Sequence, residues 1–198
     1  DEHVGLRVPL LGDRAVEIRI TVPVSVTTGG APVVTEADAA ASMSALLGVA
    51  AGQELPSVKK DAARITVGWL PEKIADHAGV TGAGLPANLT AGTAGVPDVL
   101  VGACWPAVFA ALGASRTGDD LSVIEGMLDL VHLDHAVDVT NGLPTDPAVL
   151  GVKAQVVTVA DTDLGRVVEV HVDIAADNGD GSGDNLVARL VERFAIRG

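Results

Sequence analysis

Tyrosine is absent from this chain, and only two tryptophans and two phenylalanines accompany its aliphatic residues. A core made almost entirely of Ala, Val and Leu makes each aromatic ring stand out as a candidate for a special position. Basic residues are scarce: 13 Lys and Arg against 26 Asp and Glu give a net charge of -13. Phosphate backbones are held by clustered cations, and the only basic doublet is Lys59-Lys60, so nucleic acid is not an expected partner. The single cysteine, Cys104, rules out an internal disulfide framework and fits a reducing cytoplasmic setting. No apolar run reaches the ~18 residues that a membrane span needs, so no membrane partner is expected either. The chain opens on Asp1-Glu2-His3 with neither a basic nor an apolar leader region, and reads as a piece cut from something longer.

What is present is ample apolar material. With 198 residues, 48% of them hydrophobic, and a mean hydropathy of +0.39, the chain can bury one substantial core or two small ones. Val16 to Val26 alternates β-branched and polar residues and predicts a strand, with Pro23 confining it to an edge or a bulge. Glu36 and Asp38 open an Ala-rich run to about Ala51 that predicts a helix, with Gly52 past its end. Gln53 to Ala63 is polar, contains Pro56, and is the best linker. It separates a flanking α/β segment of uncertain fold, 1–63, from a second domain, 64–198.

The second domain carries the clearer patterns. "RITVGW" predicts a short strand, and Pro71 suits the first turn of a helix over "LPEKIADHAGV", because that position needs no amide donor. Gly79 to Gly95 reads as an irregular loop. "VLVGACWPAVFAALG" is apolar on every side, with Pro106 taken as near its start and Gly113 as its stop, so this helix has to be wrapped by other structure. Then come strands: one long run from Val123 to Val139, a hairpin of "VKAQVVTVADT" with "RVVEVHVDIA" across Asp161 to Gly165, and the closing "NLVARLVERFAIRG". In the hairpin Val168, Val170, Val172 and Ile174 share one face, opposite Glu169, His171 and Asp173, which gives the sheet a dry and a wet side. A long central helix wrapped by a curved antiparallel sheet is the hot-dog fold, so the fold class is α+β with an N-terminal flanking α/β segment.

Four separated segments, "DVLVGACWPAVFAAL", "LDLVHLDHAVDV", "VKAQVVTVADTDLGRVVEVHVDI" and "LVARLVERFAIRG", resemble in order and spacing a non-catalytic, MaoC-like hot-dog repeat in the dehydratase region of bacterial and fungal type I fatty acid synthases. The resemblance covers roughly 64–198. It implies that a neighbouring repeat of the same synthase performs the reversible dehydration of a 3-hydroxyacyl thioester, while this one scaffolds it and lines the tunnel for an acyl chain carried on acyl carrier protein or CoA. In "AGVTGAGLPAN", residues 78–88, the rhythm of the family's Asp-x-Asn-Pro-x-His loop survives in Gly82 and Pro86, but Ala83 stands where the Asp is wanted and Asn88 where the His is wanted. Neither can move a proton in an elimination of water, so no catalytic residue is expected here. The resemblance implies no cofactor.

The remaining candidates divide between ordinary structure and ligand contact. Trp105 and Phe109 are four apart on one helix face, and are either core or the wall of an acyl tunnel. Cys104 lacks a neighbouring base, which favours an inert buried thiol over a nucleophile. His132 and His135 in "VHLDH" are three apart on a strand and so are expected on opposite faces, unable to share a metal ion. One of them could line a ligand channel. Cys104, Trp105, Phe109 and His132 are therefore the substrate-contact candidates, no metal site is expected, and His77 and His171 are read as surface residues. "DNGDGSGDN", 177–185, lacks the ligand pattern of a calcium loop and reads as a hairpin tip. The alternative reading is a free-standing hot-dog acyl-thioester hydratase or thioesterase with an atypical site drawn from His132, Asp134 or Glu125.

Overall fold

The computed structural model describes residues 2–9, 15–22, 36–81, 97–124, 129–144, 146–176 and 185–197. Two compact units divide at Leu55 and Pro56. In the first, β1 (Glu2–Pro9) and β2 (Ala15–Val22) form an antiparallel pair, and α1 (Glu36–Ala50) packs on β2. The end of α1 follows from Gly52, whose φ of +72° suits a residue without Cβ. The Gly52 amide donates to Val49 O at 3.0 Å and the Gln53 amide to Gly48 O at 3.1 Å, the paired bonds of a Schellman stop.

The second unit holds a six-stranded antiparallel sheet in the order β3-β4-β6-β7-β8-β5. Its strands are β3 (Val58–Lys59), β4 (Ala62–Trp69), β5 (Leu130–Val139), β6 (Ala148–Thr162), β7 (Gly165–Ala176) and β8 (Leu186–Ile196). Two helices, α2 (Pro71–Thr81) and α3 (Val99–Ala114), sit between β4 and β5 in the chain. Several expected boundaries move. The expected linker contains a hairpin, β3 with the start of β4, turning at Lys60 and Asp61, both with positive φ. Helix α2 runs on through Thr81 into the stretch read as loop. The strand expected from Val123 starts only at Leu130, because Val123 is buried in a turn just after the Arg116–Ser122 bridge.

Helix α3 packs across β4, β6 and β7. Ten of its residues are buried, among them Leu100, Val101, Val108, Phe109 and Leu112. On the sheet Val168, Val170, Val172 and Ile174 are fully buried, so the dry face lies where the alternation places it. Pro106 is inside the helix, not near its start. A mid-helix proline costs ~3 kcal/mol, whereas each large apolar side chain taken fully out of water contributes roughly 1.5–3 kcal/mol. Burial of the five residues named above outweighs the lost amide bond.

The β6–β7 hairpin closes with Thr162 opposite Gly165. The Thr162 hydroxyl donates to Gly165 O at 2.9 Å and accepts from the Leu164 amide at 3.1 Å. Gly165 has a φ of +105°, and a Cβ there would lie 2.3 Å from Ile196 O on β8. Both backbone shape and close approach exclude a side chain. Gly165→Ala should therefore lower unfolding stability by about 1–3 kcal/mol or more, read from the midpoint of urea denaturation.

Candidate functional site

The inward row of β8, with Ala188, Leu190, Phe194 and Ile196, is apolar except at one position. Glu192 pairs with Val170 and lies between Leu190 and Phe194, all of them buried. Among the described residues it is the only buried charged side chain, with 0% exposure. An unpaired carboxylate in such a place costs several kcal/mol, so its partners define the site.

The first partner is His132 on β5, whose Nε2 lies 2.8 Å from Glu192 Oε2. The second arrives by an irregularity. Between His132 and Asp134 the β5–β8 register shifts, with His132 opposite Phe194, Asp134 opposite Arg193 and His135 opposite Glu192. Leu133 is the extra residue of a β-bulge, which resets the alternation. His132 and His135 therefore share the helix-facing side, contrary to the expectation that residues three apart diverge. Their rings stack with centroids 5.8 Å apart and planes 12° apart. One ligand atom from each of His132, His135 and Glu192 falls within 4.8 Å of the other two.

Helix α3 supplies the opposite wall. Trp105 and Phe109 meet at 5.4 Å, as their four-residue spacing predicts, and Trp105 stands edge-on to His132 at 6.5 Å. Phe194 closes the group at 5.0 Å from His132. Of the substrate-contact candidates, Trp105, Phe109 and His132 thus assemble around one point. Cys104 is fully buried, and burial with the nearby Glu192 charge pushes its thiol up to about 12. Such a thiol is an inert group, not a nucleophile.

Two polar atoms around His132 remain without a hydrogen-bond partner, Trp105 Nε1 and Glu192 Oε1. Burial raises the Glu192 carboxyl above its ordinary range, while the His132 charge and hydrogen bond pull the other way. Asp134 faces outward, where Arg193 Nε and Nη2 donate to its two carboxylate oxygens at 2.8 and 2.6 Å. That pairing holds the Asp134 carboxyl below its ordinary range. The bulge thus separates Asp134 from the two histidines that flank it in sequence.

His171 lies on the outer face against Glu169, Nε2 to Oε1 2.8 Å, and His77 is half-buried on α2. Ala83, Asn88 and Glu125, the loop residues Gly82 and Pro86, and residues 177–184 lie outside the described residues. A cavity of about 710 Å³ opens on the outer face, lined by Arg64, Lys153, Asp173 and Arg189 among others, away from Trp105. No helix among the described residues is long and apolar enough to cross a membrane. Glu192 went unnoticed in the sequence, although its place between Leu190 and Phe194 in an inward row is a readable signal.

Residues 1–53 match the family model described as fatty acid synthase, SBS domain. The MaoC-like dehydratase from Phytophthora capsici is similar in structure, with a TM-score of 0.51, 20% identity, and coverage of 69% of this chain and 47% of that one. HtdX of Mycobacterium tuberculosis follows at a TM-score of 0.50 and 16% identity, covering 68% of this chain and 51% of that one. The chain thus spans about half the length of each. No curated protein matches in sequence. A segment related to fatty acid synthases is joined here to a unit with the hot-dog fold of MaoC-like dehydratases.

The raised Glu192 carboxyl sets a pH dependence. Its neutral form is favoured by the fold, so this contribution is fully present below the ordinary carboxyl value of 4.5 and is lost as pH rises through the higher folded value. In chelator, the stability of the chain relative to its Glu192→Gln variant should fall from pH 4 to pH 7, as measured by urea melts across that range. A rise over the same range would mean that the paired carboxylate, not the acid, is the favoured form.

Proposed function

We propose that this chain is a fragment of a type I fatty acid synthase and contributes the non-catalytic hot-dog half of its 3-hydroxyacyl-thioester dehydratase region. The observation that carries this reading is the conjunction in one chain of an SBS-type segment at 1–53 with a hot-dog unit at 56–198. Either alone would be less specific. The span of this chain, about half the length of the Phytophthora capsici dehydratase and of HtdX, supports its assignment to one half of a double hot dog. The missing acid and base at Ala83 and Asn88 support the assignment to the non-catalytic half.

In this role the hot-dog unit braces a catalytic repeat of the same synthase and walls the acyl chain. Trp105, Phe109 and His132 form that wall, with Cys104 beneath it as an inert filler. The partners are the other domains of the synthase and an acyl group on acyl carrier protein or CoA, in the cytoplasm. An aromatic pair, here tilted at 49°, suits a chain of methylenes, which offers dispersion contact but no hydrogen bonds.

One observation favours a second reading. The Glu192–His132 pair, 2.8 Å apart beside the central helix, has the components of a general acid/base couple, as a hydratase or thioesterase with an atypical site would need. Asp134, turned outward onto Arg193, contributes nothing to it.

The readings part in a single assay series. Incubated with an enoyl-CoA or its 3-hydroxyacyl counterpart, this chain should show no interconversion. Acyl-CoAs of increasing length should nevertheless perturb its tryptophan fluorescence, and Trp105→Phe should remove most of that change. Turnover that disappears in Glu192→Gln would establish the second reading, and absence of both turnover and acyl binding would leave only a scaffold.

A further inference from the structure

We propose that His132, His135 and Glu192 form a binding site for a borderline divalent cation, with zinc the best match. The proposal is independent of the acyl-chain reading and concerns this chain's own side chains. Three observations meet at the site. The bulge at Leu133 brings two imidazoles to one face, stacked 5.8 Å apart, although regular alternation would part them. Glu192 is fully buried and its Oε1 has no hydrogen-bond partner. The three ligand atoms lie within 4.8 Å of one another.

The donor set decides the kind of ion. Two imidazole nitrogens and a carboxylate oxygen suit zinc and its first-row neighbours, whereas calcium and magnesium demand oxygen throughout. Zinc bonds of about 2.0–2.2 Å space tetrahedral ligand atoms roughly 3.3 Å apart. The 2.8 Å contact between His132 Nε2 and Glu192 Oε2 has to open slightly, and the remaining gaps close by rotation of His135, which is exposed on the sheet's edge strand.

An ion would also resolve what the protein leaves unbalanced. Hydrogen bonding to His132 occupies one oxygen of Glu192 and leaves the other bare in an apolar shell. A dication supplies compensating charge and takes the lone pairs of both rings. Edge strands are open to solvent on one side, so the ion has an entry path. Three protein ligands leave a fourth position open to water.

The test is a calorimetric titration of the metal-free chain with zinc, at neutral pH. One equivalent should bind, and millimolar magnesium should not compete. Affinity should fall by at least about 100-fold in His135→Ala, since even outer partners of a metal site are worth up to that much. His132→Ala should behave likewise, while His171→Ala should bind as the parent does. His135 is exposed, so its removal leaves the fold intact. Absence of binding up to about 1 mM zinc would overturn the proposal. So would binding that survives His135→Ala or is lost with His171.

Discussion

A helix with no polar side has to be enclosed, and that requirement organises the second unit. Helix α3 buries ten of its sixteen residues, so a surface long enough and curved enough to cover it had to be built from the strands that follow it. The β6–β7 hairpin supplies the centre of that surface through Val168, Val170, Val172 and Ile174. Strand β4, which precedes the helix, covers it from the other flank. Pro106 shows which term dominates. Its missing amide bond is tolerated because the helix is held by its surroundings more than by its own backbone.

Enclosure also sets the terms for everything polar inside. With Val170, Leu190 and Phe194 as its buried neighbours on β7 and β8, a carboxylate at Glu192 is a local conflict between pattern and fold. Such conflicts cluster at functional or strained sites. The β5 bulge belongs to the same conflict. A regular β5 would have turned either His132 or His135 away from Glu192, and Asp134 could not then have met Arg193 on the outer face while both rings turned inward. One inserted residue provides both arrangements.

The hot-dog fold was legible because its signals are periodic. The four-residue spacing of Trp105 and Phe109, the alternation through Val168 and Ile174, and the all-apolar run of α3 each carry their own geometry, and the structure agrees with all three. Gly52 likewise marked the end of α1. The illegible parts depend on contacts distant in sequence. Strand β1 was overlooked because it has meaning only against β2. The late start of β5 reflects the burial of Val123 and the capture of Ser122 O and Val123 O by the Arg166 guanidinium, 44 and 43 residues away in sequence. The bulge at Leu133 was invisible because "VHLDH" has nothing against regular alternation. Only pairing with Arg193 and Glu192 shifts the register. Glu192 drew no reading of its own from the sequence, although its two-residue spacing from Leu190 and Phe194 places it inward.

The chemistry open to this site follows from the charge that Glu192 brings. Near a buried carboxylate a thiolate is disfavoured twice, by desolvation and by repulsion, and Cys104 is accordingly pushed up to about 12. The one residue whose type suggests covalent chemistry is thereby silenced by its neighbour. The same negative charge favours a cation beside the two imidazoles. The polar groups gathered here are the two imidazoles and the carboxylate, and the rings of Trp105, Phe109 and Phe194 set them beside an apolar surface. The site thereby combines an apolar wall with one buried acid and two imidazole rings, all placed by the enclosure of one helix and one bulge in an edge strand.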